Sequence, residues 1–188
     1  MLIDMADQVL KLKEIEDFFA EITCEMLEID LDKEENYGKV RIAWQTEGAP
    51  AWSINEDVVY LRITPVDDKM ARQQNIILNP DEDNKAYAKK QTGYTRVHKV
   101  NWTLYGPNSY DNADVIRHLL FDYDYMEKFK EKNLFLITDV PMPTRLPEPY
   151  NGQWWERTDF SATFNEAVIR ENKVPYITGT DIRIVPNR

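Results

Sequence analysis

The stretch that decides the fold reads WWERTDFSATF and covers residues 154–164. From Glu156 onward, alternate residues fall on two sides of very different chemistry. One side carries Glu156, Thr158, Phe160, Ala162 and Phe164, and the other carries Trp155, Arg157, Asp159, Ser161 and Thr163. A period of two with one largely apolar side is typical of a β-strand that lies on a core. The pattern predicts a strand from Trp154 to Ile169 with one buried face.

Helical and strand patterns on either side of this stretch predict the remaining elements. Apolar residues at spacings of three and four predict a helix from Asp7 to about Ile29. They predict a second helix from near Asn112, which continues or restarts through Met126 and Phe129. Alternating residues predict strands at Lys39–Gln45, Asp57–Thr64, Tyr94–Tyr105, Leu134–Ile137 and Ile177–Val185. We therefore expect one α+β domain over residues 1–188, a mixed and mainly antiparallel sheet flanked by two helices.

Residues 65–92 interrupt this regular pattern with a polar, charged segment. Its short apolar core is Ile76, Ile77 and Leu78. A connection of this length inside a domain is usually functional or mobile. We expect a long loop or a hairpin arm. The two alternatives are an arm that orders against a neighbouring chain and a surface segment without order.

A second unusual segment runs from Val140 to Tyr150 and contains four prolines. Proline fixes φ and has no N–H to donate to a sheet. We expect a stiff, extended crossover along the edge of the sheet.

Composition and charge narrow the classes of partner. The net charge of -10 argues against free duplex DNA and anionic membranes as primary partners. Cys24 is the single cysteine, which excludes an intrachain disulfide and a cysteine metal site, and we expect it in the core. The first residues lack a basic signal-peptide region, and no apolar run approaches the ~20 residues of a membrane span. We expect assembly in a cytoplasm-like compartment.

Motifs for chemistry are missing from the sequence. It contains no glycine-rich phosphate loop and no Gly-x-Ser-x-Gly, and neither His98 nor His118 has ligands at metal spacing. We expect no catalytic residues, no cofactor and no metal, and a protein that is not an enzyme. The alternative is a site assembled from distant carboxylates, which predicts a deep pocket with converging acids.

Tryptophans are the strongest candidates for contacts with another chain. Trp154 and Trp155 are adjacent in a predicted strand, so they face opposite ways and cannot both enter one core. One of them, together with Arg157, is a candidate interface anchor, because aromatic residues and arginine are favoured at interfaces. Trp52, in a proline-containing loop, is the other candidate. Core packing is the alternative for each.

Two runs of sequence resemble a known family. The run VNWTLYGPN at residues 100–108 leads into ADVIRHLL at residues 113–120, and WERTDF follows at residues 155–160 after the proline-rich crossover. This succession resembles the neck and tail terminator proteins of tailed bacteriophages, in which a strand ending in Tyr-Gly leads into a helix and a "W-E-R" strand follows. The similarity covers about residues 93–185.

The resemblance implies a structural role in the virion. Such proteins form a ring, commonly a hexamer, that closes the tail tube and joins it to the head-side connector. It implies self-association, contacts with the tail tube protein and the connector, and assembly in the host cytoplasm. It also implies a lumen that DNA passes without specific binding, and no membrane. The candidate subunit contacts are Ile76, Ile77 and Leu78 of the arm first, and Trp154 or Trp155 with Arg157 second. The alternative is a monomeric adaptor that binds a protein partner through Trp52.

Overall fold

The computed structural model describes residues 8–43, 52–84 and 86–175 of the 188-residue chain. In chain order the elements are α1 (Leu12–Met26), β1 (Val40–Ile42), β2 (Val58–Pro65), β3 (Gln74–Pro80), β4 (Tyr87–Tyr105), α2 (Ser109–Leu119), α3 (Tyr123–Glu131), β5 (Leu134–Ile137), β6 (Thr144–Arg145), β7 (Glu148–Tyr150), β8 (Gln153–Trp155) and β9 (Arg157–Pro175). Short 3-10 helices lie at Glu34–Asn36 and Met70–Arg72.

Two strands of 19 residues, β4 and β9, form the centre of the sheet. They are antiparallel and paired along their whole length, from Tyr87 opposite Pro175 to Tyr105 opposite Arg157. At roughly 3.3 Å per residue the pair is about 60 Å long. The other strands cover only parts of this pair, so its two ends have different surroundings.

The shorter strands are distributed along both edges of the central pair. On the free edge of β4, β2 pairs with one half and β3 with the other, both antiparallel, and β1 joins β2 in parallel. On the free edge of β9 lie β5 and β6. The strands β7 and β8 form a separate small hairpin. The sheet is therefore mixed and mainly antiparallel, which confirms the predicted fold class.

The three helices of the described ranges pack on one face of this sheet. Phe19 of α1 lies at the centre of the core, with ring centroids 4.8 Å from Phe164 and 6.2 Å from Trp102. The indole N–H of Trp102 donates to the hydroxyl of Thr23 at 3.0 Å, so the largest core side chain keeps its hydrogen bond. Phe129 of α3 completes the cluster at 5.1 Å from Phe164.

The period of two predicted for the deciding stretch is present in β9. Its even-numbered residues from Thr158 to Val168 are buried and its odd-numbered residues are partly or fully exposed. Phe160 lies directly opposite Trp102 of β4 and stacks on it at 5.2 Å. Cys24 is also buried, as predicted.

Gly106 makes the turn from β4 into α2. Its φ of +110° belongs to the region that favours glycine. A Cβ at this position would lie 2.6 Å from the carbonyl oxygen of Glu56. The Tyr-Gly-Pro break in the sequence therefore has both a conformational and a steric cause.

The predicted boundaries need several corrections. Residues 65–92 are not a single loop, because β3 and the first part of β4 form the hairpin alternative. β4 begins at Tyr87 and not at Tyr94, since these residues find backbone partners on both sides despite their polar sequence. β9 continues beyond Ile169, where the predicted strand ended, to Pro175.

Other predicted boundaries change less. A positive φ at Glu28 follows α1, which spans Leu12–Met26 and is shorter than predicted. The second predicted helix restarts as α3. The Asp122 side chain caps the start of α3 by accepting a hydrogen bond from the backbone N–H of Asp124. The predicted strand at Ile177–Val185 lies outside the described residues, and a single domain over residues 1–188 stays a prediction.

A buried charged cluster joins the helical layer to the sheet. The carboxylate of Glu166 accepts from Arg96 Nε at 2.9 Å, from His98 Nε2 at 2.7 Å and from the backbone N–H of Leu10 at 3.0 Å. Burial alone would raise the pKa of Glu166, but the hydrogen bonds from His98, Arg96 and Leu10 outweigh it and lower the pKa to about 2. The cluster fixes the segment before α1 to the middle of β4 and β9.

Candidate interaction surfaces

The first surface is the arm, which we define as residues 74–94 and 168–175. It consists of β3, the first part of β4 and the last part of β9. Ile76 and Leu78 point to the same side of the sheet as the helical layer, and Ile77 points to the other side, because alternate residues of a strand face opposite ways. Their exposed fractions are 55%, 60% and 56%. The arm thus presents apolar side chains on both of its faces.

The end of the arm is held by an ion pair. Lys173 Nζ of β9 lies 2.8 Å from the carboxylate of Asp81, which follows β3. The same carboxylate accepts from the backbone N–H of Asp83 at 3.2 Å in the turn. This contact links the turn to the third strand, so the three strands form one unit.

The second surface is the aromatic pocket, on the sheet face opposite the helices. Its walls are Trp52, Tyr60, Tyr105, Tyr150 and Trp155. The ring of Trp52 lies 4.6 Å from that of Trp155 and 5.0 Å from that of Tyr105, between centroids. The cavity has a volume of about 640 Å³. Tyr60 and Tyr105 reach it because their positions in β2 and β4 face away from the core.

An arginine lies at the rim of the aromatic pocket. Arg157 makes a two-pronged ion pair with Asp159, with both N–O distances 2.8 Å, and its Nη1 lies 2.8 Å from Glu148 Oε2. Tyr105 donates to the other oxygen of Glu148 at 2.9 Å. Burial and this hydrogen bond raise the pKa of Tyr105 to about 12, so its hydroxyl stays protonated and keeps donating.

Two indole N–H groups line the pocket and differ in their partners. Trp52 donates to the hydroxyl of Tyr60 at 3.1 Å. The N–H of Trp155 is buried and has no acceptor among the described residues. An unpaired buried donor is costly and is usually matched by a bound group.

The candidate residues named from the sequence fall at the two ends of the central strand pair. Trp52, Trp155 and Arg157 meet in the aromatic pocket, at the Tyr105 end. Trp154 faces away from it and is 70% exposed. The three apolar arm residues lie towards the opposite end.

Sequence reasoning missed the tyrosines of the pocket and Glu148. A signal for Tyr60 and Tyr105 was available, because both have the strand parity that faces away from the core. No comparable signal marked Tyr150 or Glu148, since β7 and β8 pair apart from the main sheet.

The carboxylates beside the aromatic pocket are engaged in structural contacts. Both carboxylates beside the pocket, Glu148 and Asp159, are bound by Arg157. Across the described residues, no group of three or more His, Cys, Asp or Glu side chains is arranged to hold a metal ion. No helix in the described ranges has the length and apolar character needed to cross a bilayer.

A comparison of the sequence with protein families finds a family model that matches nearly the whole chain. The family model described as phage neck terminator protein matches residues 13–187. The chain belongs to the phage neck terminator family. The match covers every strand described above and all of α1 except its first residue. It confirms the resemblance carried by residues 100–120 and 155–160. This terminator is therefore a structural neck component of a phage virion, in contact with other virion components. A comparison with curated proteins finds no match.

Proposed function

We propose that this terminator forms a ring of identical copies that closes the tail tube and joins it to the head-side connector. Six copies are the number that the resemblance implies. The observation that carries the proposal is the arm, where Ile76, Ile77 and Leu78 are all more than half exposed. An exposed edge strand with neighbouring apolar side chains invites association, and soluble monomers usually protect such edges.

A cyclic ring needs two different contact surfaces on each copy, because each copy meets two neighbours in a head-to-tail manner. The arm lies at one end of the β4–β9 pair, and Trp154 with the aromatic pocket lies at the other. Both are candidate contact surfaces, and the surface that receives the arm on the next copy must differ from the arm itself. The tail tube protein and the connector would bind above and below the ring.

The charge of the chain supports a lumen for DNA. α1 carries the acidic residues Glu14, Glu16, Asp17, Glu21 and Glu25, and the whole chain has a net charge of -10. An acidic wall repels the phosphate backbone and does not retain it. In the proposed ring, packaged DNA passes without specific binding.

We propose that this role involves no catalysis. The pocket carboxylates both pair with Arg157 at 2.8 Å and do not converge on an open position. His98, the histidine nearest to acids in the fold, is bound in the buried cluster with Glu166.

The second candidate function is a monomeric adaptor. The aromatic pocket favours it, because a cavity of about 640 Å³ walled by aromatic rings suits side chains of a partner. Such an adaptor would bind its partner as one copy.

Electron microscopy of tubes from particles that lack the terminator separates the two candidates. Purified protein is added to these tubes, and its own assembly state is measured by sedimentation over a range of concentrations. We expect a ring with sixfold symmetry on each tube end. A single copy on each tube would contradict the ring and favour the adaptor. Failure to bind tubes would contradict both.

A further inference from the structure

The strands of the arm combine apolar and basic side chains. On the helix side of the arm, Leu78 of β3 lies opposite Lys90 of β4. Ile76, two residues earlier on β3, lies in the next cross-strand row on this face, and that row ends at Arg170 of β9. Residues 87–94 and 168–175 contain four basic residues and one acidic residue, Glu171, whereas the chain as a whole is strongly acidic. The other acids of the arm are in its turn, at residues 81–83. Of the charged residues in these strands, Lys90 and Arg170 have helix-side parity, whereas Lys89, Glu171 and Lys173 face the other side. The helix-side face of the arm is therefore apolar and positively charged.

A surface of matching chemistry lies where α2 meets α3, and we name it the α2–α3 corner. Phe121, Tyr123 and Met126 are exposed there, with exposed fractions of 42%, 73% and 45%. Phe121 and Tyr123 line a cavity of about 410 Å³ whose lining also includes Asp114 and Asp122, and Met126 lies three residues after Tyr123 on α3. Two acids thus lie beside the apolar side chains of the corner.

The acids of the corner outnumber its free bases. Arg117, also in the cavity lining, donates to the backbone oxygens of Val140 and Pro141 and keeps its positive charge, because these oxygens are uncharged. On α3, Lys128 pairs with Glu25 and Lys130 pairs with Glu127. With Asp114 and Asp122 against Arg117, the cavity lining has one more acid than base, so the corner presents a small net negative charge to a partner.

We propose that the helix-side face of the arm of one copy packs on the α2–α3 corner of the next copy in the ring. This proposal rests on the ring of the proposed function and names the contact that closes it. Ile76 and Leu78 meet Phe121, Tyr123 and Met126 of the neighbour, and Lys90 and Arg170 face its acids. The two surfaces are different and complementary in both hydrophobicity and charge, as a head-to-tail contact requires.

Disulfide cross-linking between two variants tests this contact. Leu78→Cys in one preparation is mixed with Met126→Cys in another, with tubes present, under mild oxidation. Both positions are exposed, so neither change disturbs the core. The native Cys24 is a built-in silent thiol, because burial and the nearby Glu21 raise its pKa to about 11. We expect a covalent dimer of one chain from each preparation.

A matched control uses Leu31→Cys in place of Met126→Cys. Leu31 is 63% exposed and apolar but lies between α1 and β1, outside the α2–α3 corner. We expect at least tenfold less cross-linked dimer with this control. Equal yields, or dimers of Leu78→Cys with itself, would overturn the proposal and indicate random collision or contacts between arms.

Reversing the charges on the two sides of the contact tests it independently. Lys90→Glu and Asp114→Lys should each lower the Leu78–Met126 cross-link several-fold, and the two together in every copy should restore it. If rings form on tubes without this cross-link, the proposed contact is wrong but the proposed ring is supported. A protein that forms no rings on tubes would overturn the ring and, with it, this contact.

Discussion

Glu166 and His98 lie 68 residues apart in the sequence, yet their side chains meet at 2.7 Å in a buried position. Glu166 also binds Arg96, whose Nη2 donates to the backbone oxygen of Leu10 at 2.6 Å. The segment before α1 is thus held by side chains of both central strands. This cluster lies where the helical layer ends and the arm begins.

Replacing Glu166 by alanine should destabilise the fold strongly. The change leaves His98 and Arg96 without their carboxylate and the N–H of Leu10 without its acceptor. Breaking a buried pair in this way costs about 3–5 kcal/mol. Urea unfolding measures the loss, with Glu171→Gln on the arm as a control that should change stability by less than about 1 kcal/mol. Equal losses of unfolding free energy for the two changes would show that the buried cluster stabilises the fold no more than an exposed carboxylate does.

The same carboxylate predicts how stability depends on pH. Its pKa is lowered from 4.5 to about 2 on folding, so the folded state prefers the ionised form. The stabilisation is complete above pH 4.5 and is lost as pH falls from there towards 2. The free energy of unfolding, measured across this pH range, should fall more steeply for the wild type than for Glu166→Gln as the pH is lowered. Parallel curves for the two proteins would contradict the assignment.

Most of the core was predictable because its strands alternate. The apolar positions of β9 and β4 under the helices follow a period of two, and burial of one face produces that pattern. The first part of β4, including Lys89, Lys90 and Gln91, is a strand without such a pattern. Its partners β3 and β9 supply its hydrogen bonds, and no core selects its side chains. The periodicity of a single segment cannot reveal a strand of this kind.

The candidate surfaces were predictable only in part, for a related reason. Adjacent tryptophans in an extended segment must face opposite ways, so one exposed member follows from geometry alone. The meeting of Trp52 with Trp155 depends on a loop and a separate hairpin, β7–β8. Their relative positions follow from tertiary structure that no local pattern encodes.

Trp154 and Trp155 should respond differently to replacement by alanine. Trp155 packs against Trp52 and Tyr150, so its loss should cost about 2–3 kcal/mol of unfolding free energy. Trp154 is 70% exposed, so its loss should cost less than about 0.5 kcal/mol. If Trp154 is a subunit or tube contact, its alanine variant should nevertheless cap fewer tubes in electron micrographs. Unchanged capping by this stable variant would remove Trp154 from the interface.

Two glycines with positive φ form a matched pair for a further test. Gly106→Ala would place a Cβ 2.6 Å from the Glu56 carbonyl oxygen, whereas Gly152→Ala meets nothing within 4 Å. Both changes carry the strain of the left-handed region, roughly 1–2 kcal/mol. Only the first adds a clash with backbone, so we expect it to lower the thermal midpoint by several degrees more. Similar midpoints would show that the turn after β4 adjusts freely.

Shortening the arm tests its role in assembly without touching the core. Gln74 and Tyr94 lie directly opposite each other, so residues 75–93 can be replaced by a two-residue Asn-Gly turn that suits a hairpin. None of the replaced residues belongs to the hydrophobic core around Phe19 and Trp102.

The shortened chain should therefore keep a cooperative unfolding transition but lose the ability to form rings on tubes. Circular dichroism during urea unfolding checks the first point, and electron microscopy with sedimentation checks the second. Leu31→Ser, which removes an exposed apolar side chain elsewhere, should leave ring formation unchanged. A folded, shortened chain that still caps tubes as a ring would exclude the arm as the subunit contact. The Trp154 end of the strand pair would then be the place to search for it.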